Sequence, residues 1–176
     1  TGTAEAKALV KVYDGNTLLG ETLASNKGSW SFTAGNLVDG NSYDFRVTAS
    51  DIAKNTSVPS DVVSVTVDAT SPLSPQIVAY TPGNAALGVT KSNIITLTGT
   101  AEADAKIKLY DGAKYIGVTV ADDTGAWSFT TGPLSNATHR FAATATDAAG
   151  NTSSLATLAG SGAARSGPVQ DNSVLV

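Results

Sequence analysis

Hydrophobic and polar residues alternate with period two in short, separated runs. The pattern is explicit in Leu9-Val10-Lys11-Val12-Tyr13, in Trp30-Ser31-Phe32-Thr33, in Phe45-Arg46-Val47-Thr48-Ala49 and in Val63-Ser64-Val65-Thr66-Val67. Asp-Gly, Asn-Lys-Gly and Pro punctuate these runs. Alternation over four to eight residues, bounded by turn formers, predicts half-buried β-strands. No stretch carries apolar residues at helical spacing, so no helix is predicted. Hydrophobic residues make up 41% of the chain and charged residues 15%, a balance that predicts a globular rather than a disordered chain.

The pattern repeats. Gly2-Thr3-Ala4-Glu5-Ala6 returns as Gly99-Thr100-Ala101-Glu102-Ala103, and Tyr13-Asp14-Gly15 as Tyr110-Asp111-Gly112. Gly28-Ser29-Trp30-Ser31-Phe32-Thr33 returns as Gly125-Ala126-Trp127-Ser128-Phe129-Thr130. Asp51-Ile52-Ala53-Lys54-Asn55-Thr56-Ser57 returns as Asp147-Ala148-Ala149-Gly150-Asn151-Thr152-Ser153. The period of about 97 residues is too long for a solenoid unit and matches an immunoglobulin-size sandwich. The expected fold is therefore all-β: two tandem immunoglobulin-like β-sandwich domains, residues 1–68 and 69–176. The first is expected to lack its N-terminal strand, because it has no counterpart of Gln76 to Leu97. The second shows no match for the last strand, Val63 to Val67, and ends in a divergent tail. Between the copies lies Asp68-Ala69-Thr70-Ser71-Pro72-Leu73-Ser74-Pro75, whose prolines favour an extended linker.

Composition narrows the chemistry. The chain has 176 residues, no Cys, no Met, one His and a net charge of −4. Without Cys there is no disulfide, thiolate metal site or cysteine nucleophile. A single His removes most triad and metal-assisted hydrolases. The negative charge argues against nucleic acid and anionic membranes as partners, and no apolar run is long enough for membrane insertion. With no Met, the chain is expected to be an interior portion of something longer. His139 stands where the first copy has Tyr43, which argues against a shared catalytic role. No enzyme activity is expected. Asp14-Gly15 and Asp111-Gly112 read as tight hairpin turns, and Asp122-Asp123 before Thr124-Gly125 reads similarly. Trp30 with Phe32, and Trp127 with Phe129, sit two apart on one strand face and are expected in the cores rather than on a carbohydrate platform.

These motifs in this order, closing with Val67-Asp68-Ala69-Thr70-Ser71-Pro72, resemble the bacterial Ig-like repeats strung along giant surface adhesins and biofilm proteins of Gram-negative bacteria. The resemblance covers the chain to about residue 158. It departs at Lys54, where the pattern has Gly, and after Leu158. It implies a sandwich fold, export to the bacterial cell surface, neighbouring repeats as partners, and calcium ions stiffening the junctions between repeats.

Strand directions in such a sandwich place Asp68, Glu102, Asp147 and Asn151 at one pole of the second copy. Glu5, Asp51 and Asn55 are the corresponding set in the first. Clustered carboxylates repel unless a cation sits among them, and Ca²⁺ takes six to eight hard oxygen ligands of this kind. Spacing alone favours a solvated Glu102 and an Asp147–Asn151 pair that caps its own turn. The family resemblance favours calcium. The expected function is a structural spacer of an extracellular adhesin, stiffened by Ca²⁺ at the junction. The alternatives are a glycan- or protein-binding accessory module of a secreted polysaccharide-active enzyme, or a subunit that self-associates by strand addition. In that last case Pro168 to Val176 is donated to the first domain of a neighbour; otherwise the tail closes its own domain as a last strand.

Overall fold

The computed structural model describes residues 1–84, 88–157 and 174–175. It divides into two compact units, Thr1–Ala69 and Thr70–Val176. The first contains β1 (Gly2–Thr3), β2 (Leu9–Asp14), β3 (Thr17–Leu23), β4 (Ser29–Trp30), β5 (Ser42–Ser50) and β6 (Val63–Thr66). The second contains β7 (Gln76–Thr81), β8 (Thr96–Thr100), β9 (Lys106–Asp111), β10 (Lys114–Val120), β11 (Ala126–Thr130), β12 (Thr138–His139), β13 (Phe141–Thr146), β14 (Ala156–Thr157) and β15 (Val174–Leu175). No helix occurs among the described residues.

Each unit pairs a longer sheet with a shorter one, all antiparallel. In the first unit the orders are β3-β2-β5-β6 and β1-β4; in the second they are β10-β9-β13-β14 and β11-β8-β7, with β12-β15 as a short extension. The alternation read in the sequence sets the faces. On β9 the residues Ile107 and Leu109 are fully buried while Lys106 and Lys108 are exposed. Turn chemistry sets the connections: Asp14 pairs with Thr17 and Asp111 with Lys114, which leaves the two-residue hairpin turns expected at both Asp-Gly sites.

The two cores differ. In the second unit Ile77, Tyr80, Ile95, Leu97, Ile107, Leu109, Trp127 and Phe141 join in one buried cluster. In the first, only Ala8, Val10, Val12 and Ala24 are buried hydrophobics. Trp30, Phe32, Phe45 and Val47 are only half-buried, and with Val12 and Val63 they line an open cleft of about 520 Å³. Trp127 belongs to the core, as expected, whereas Trp30 is only half-buried and lines the cleft. The reason lies in the ladder. In the second unit β8 pairs with β7 on one side and with all of β11 on the other, Leu97 opposite Phe129 and Thr96 opposite Thr130. In the first unit β1 holds only Gly2 and Thr3, so β4 stops at Trp30 and Ser31 to Thr33 are not strand, although they alternate like one.

The proline stretch is not uniform linker. Pro75 is fully buried, and the Ser74 hydroxyl lies 2.8 Å from that of Ser154, so this end of the stretch is packed into the second unit.

The second copy, which has no sequence match for Val63 to Val67, takes its last strand from the tail, one of the placements left open by the sequence. In the first unit Ser42 pairs with Thr66 and Tyr43 with Val65. In the second, Thr138 pairs with Leu175 and His139 with Val174. Val174–Leu175 thus takes the ladder position of Val65–Thr66, within its own domain. Ala156–Thr157 pairs with Ala142 and Ala143 further along the same edge. The rest of the proposed donor tail, residues 168–173 and 176, lies outside the described residues. Deleting residues 168–176 is therefore expected to lower the thermal midpoint of the second domain and to leave the chain monomeric. Scanning calorimetry with light scattering on both chains checks this. A loss of oligomer on deletion would instead support donation to a neighbour.

Candidate functional site

The residues singled out in the sequence lie in loops between strands. In the second unit Asp147 and Asn151 close the turn after β13. The Asp147 carboxylate accepts the N–H groups of Gly150 at 2.8 Å and Asn151 at 2.9 Å through Oδ1, and the Asn151 side-chain amide at 3.0 Å through Oδ2. The Asp147 N–H returns a bond to the Asn151 carbonyl at 3.1 Å. In the first unit Asp51 accepts the Asn55 N–H and its side-chain amide, both at 2.8 Å. The two loops therefore have the same closed form.

Lys54, where the repeat pattern has Gly, fits that form at φ +70°, whereas Gly150 has +97°. A left-handed backbone costs a non-glycine residue about 1 kcal/mol or more. Here the surrounding bonds impose it. The same conformation recurs at Lys7 and Asp104, in the loops that carry Glu5 and Glu102.

The hydrogen bonds also shift the acids. The Asn55 side chain, followed by its N–H, holds the Asp51 carboxyl below its ordinary value of 3.8. At Asp147 burial pushes upward, but the Asn151 side chain and the loop N–H groups outweigh it and the net shift is down. Asp122 is lowered too, chiefly by the Thr124 hydroxyl, and it accepts N–H bonds from Thr124 and Ala126 as a turn cap.

The fold thus joins Asp51 to Asn55 and Asp147 to Asn151. Glu5 and Glu102 are exposed and take no part in those rings; their backbone carbonyls accept the Ala8 and Ala105 N–H groups. Asp68 belongs to the first unit. Within either unit, among the described residues, no three His, Asp or Glu side chains gather as a metal cluster. What Asp147 and Asn151 present is a carboxylate already engaged by N–H donors, the donor set of a capped turn.

A depressed carboxylate contributes stability in full above its ordinary value and loses it as pH falls through the lowered folded value. Asp147→Ala is accordingly expected to lower the thermal midpoint of the second domain even in chelator, and to speed amide exchange at Gly150 and Asn151. The difference should vanish in strong acid, where Asp147 is protonated in the wild type. Calorimetry from neutral pH to below 3.8 checks it.

A second cluster is legible only in three dimensions. His139 is 7% exposed. Its Nδ1 lies 2.6 Å from Asp111 Oδ2, and its Nε2 lies 3.0 Å from the Ser135 carbonyl oxygen and 3.5 Å from the Ser135 hydroxyl. These are the residue types of a hydrolytic triad, but Nε2 lies nearer the Ser135 carbonyl than its hydroxyl, whereas a general base needs the hydroxyl as its close partner. Burial pushes the imidazolium down, yet the Asp111 hydrogen bond, the Ser135 carbonyl and the Asp111 charge together raise its pKa above the ordinary 6.5. The Asp-Gly spacing shows only the turn at Asp111 and not its histidine partner. The signal in the sequence was the exchange of Tyr43 for His139 between otherwise similar copies.

With this geometry in hand, family comparisons agree with the fold. Residues 81–161 match the model of the bacterial Ig domain, and residues 1–69 that of the bacterial Ig-like domain. The chain is a pair of bacterial Ig-like repeats. Among curated proteins it is 34% identical over 146 residues to Exoglucanase B of Cellulomonas fimi; that covers 81% of this chain but only 13% of the exoglucanase. Among solved structures it resembles the fibronectin(III)-like modules of CbhA from Clostridium thermocellum, with a TM-score of 0.55 at 14% identity, over 90% of this chain and 78% of that one. The likeness to those modules is one of fold.

Proposed function

We propose that the pair is a non-catalytic spacer in an extracellular bacterial protein, separating the domains on either side of it. The observation that carries this is the inward placement of the aromatic residues. Trp127 is 4% exposed and Phe141 1%, and Trp30 and Phe32 face the cleft between the sheets. Tyr115 is exposed, but its ring meets Tyr110 edge-on, with centroids 6.0 Å apart and planes at 69°, and the two do not form a flat platform for a sugar ring. The parent can be a surface adhesin, as the sequence resemblance implies, or a polysaccharide-active enzyme, which the identity with Exoglucanase B favours as the second reading. In both the role of the pair is distance. Affinity electrophoresis in soluble β-glucans and xylan tests it: mobility unchanged by the polysaccharide is expected, and retardation would make the pair a binding module instead.

Calcium stiffening of the junction is a separate proposal with its own test. It needs Asp68, Glu102, Asp147 and Asn151 to share an ion, while Asp147 keeps its loop bonds and contributes its remaining Oδ2 lone pair. A ligand that binds only the folded state stabilises it in proportion to ln(1 + [L]/Kd). The Asp147→Ala penalty should then grow with calcium above its value in chelator, and ¹⁵N relaxation should give both domains one correlation time in millimolar Ca²⁺. A penalty and relaxation rates that ignore calcium would overturn it.

A further inference from the structure

The second repeat differs from the first at one buried, titratable position. In the first, Tyr43 sits on β5 and its phenol oxygen accepts the Val38 N–H at 2.8 Å. The first repeat contains no histidine. In the second, His139 occupies that position. The nearest oxygens to the two ring nitrogens are acceptors, the Asp111 carboxylate at 2.6 Å from Nδ1 and the Ser135 carbonyl at 3.0 Å from Nε2, with the Ser135 hydroxyl further from Nε2 at 3.5 Å. Only the doubly protonated ring donates to both. The neutral ring protonated at Nδ1 loses the bond to the Ser135 carbonyl and keeps only the long contact to its hydroxyl, and the ring protonated at Nε2 turns a lone pair toward the Asp111 carboxylate.

The contacts around the ring tie three pieces of backbone together. Asp111 Oδ1 accepts the Arg140 N–H at 3.1 Å, and the Gly112 N–H donates to the Arg140 carbonyl at 2.7 Å, so the tip of the β9–β10 hairpin is bound to the break between β12 and β13. The Ser135 carbonyl belongs to the loop leading into β12. The backbone of His139 pairs with Val174. The ring also stacks on Phe141, with centroids 6.1 Å apart and planes 15° from parallel. Among the described residues, only Asp111 brings a charge against the ring. The 131–137 loop contains no ionisable side chain, nor do β13 and β15. Arg140, next along the chain, is exposed, and Lys106 and Lys108 on β9 are exposed as well.

We infer that His139 is a proton-operated clamp in the second repeat: the protonated ring holds the 131–137 loop and the Asp111–Gly112 hairpin tip to β12, and deprotonation loosens that end of the domain together with its Val174–Leu175 edge. The direction follows from linkage. A histidine held more basic in the folded state contributes its stability in full below the ordinary value of 6.5, and that contribution is lost as pH rises through the higher folded value. The second repeat therefore loosens on going from mildly acid to alkaline conditions. The first, with Tyr43, carries no such group.

The test uses the full chain. ¹⁵N-detected titration of the single histidine is expected to show both ring nitrogens protonated at pH 6.5 and a midpoint above that value. Amide exchange, corrected for intrinsic rates, should show protection at Arg140 and Gly112, whose N–H groups bond across the clamp, falling between pH 6 and 9. The expected loss is about tenfold for each unit separating the folded and unfolded midpoints. His139→Tyr installs the first repeat's solution and should flatten that profile. His139→Gln, which can donate one bond and does not titrate, is the second variant if the tyrosine fails to fold. A ring midpoint at or below 6.5, or a variant whose pH profile matches the wild type, overturns the inference.

Discussion

Gly99→Val is expected to unfold the second repeat at room temperature. A Cβ at residue 99 would lie 1.8 Å from the Gln76 carbonyl oxygen and 2.4 Å from the Trp127 ring. The first contact is backbone, part of the β7–β8 ladder, and cannot rotate away. Overpacking against side chains typically costs about 1–3 kcal/mol. Here either β7 must leave the sheet or Trp127 must leave the core, and the loss should exceed about 3 kcal/mol. Gly2→Val is the internal control. Its Cβ would meet only the Trp30 ring, at 2.7 Å, in a domain where that ring is half-exposed and borders an open cleft. Urea denaturation followed by amide NMR resolves the two domains. A fully stable Gly99→Val chain would show that β7 does not lie on β8.

The second large effect is expected at Phe141. Its side chain is 1% exposed and packs in the cluster of Ile77, Leu97, Ile107 and Leu109. Phe141→Ala should destabilise the second repeat by about 3–5 kcal/mol, the sum of lost transfer energy and an unfilled cavity. Phe45 is the same residue in the first repeat, but it lines the cleft and is only half-buried. Truncating a side chain that already borders open space leaves little new cavity, so Phe45→Ala should cost about 1–2 kcal/mol. Equal penalties in the two domains would mean that the cleft is closed in solution.

Both experiments rest on an asymmetry that the sequence showed only in part. The absence of a Gln76 to Leu97 counterpart was visible from the repeat alignment. Its consequence for Phe32 and Phe45 was not, because burial of a residue on one sheet depends on what the other sheet places above it. The candidate loops show the same division. Asp51 with Asn55 and Asp147 with Asn151 were found by spacing, since an Asx-closed turn is a local structure four residues wide. Whether those carboxylates also face a cation was not decidable from spacing. Their observed partners are the N–H groups of their own loop.

The sequence by itself determined the strands, the Asp-Gly hairpins and the tandem repeat, because alternation and turn chemistry act between residues close in the chain. Only the tertiary structure decided which residues complete each edge and which side chains meet inside. Val174–Leu175 takes the register of Val65–Thr66 without resembling it in position along the repeat, because a ladder needs matching backbone and not matching spacing. His139 finds Asp111 across 28 residues of chain, and Lys54 is held left-handed by a turn that elsewhere uses Gly. Such contacts leave no periodic trace in the sequence. They are set when two sheets close on each other, and there the partners of a residue are chosen by the fold rather than by its neighbours.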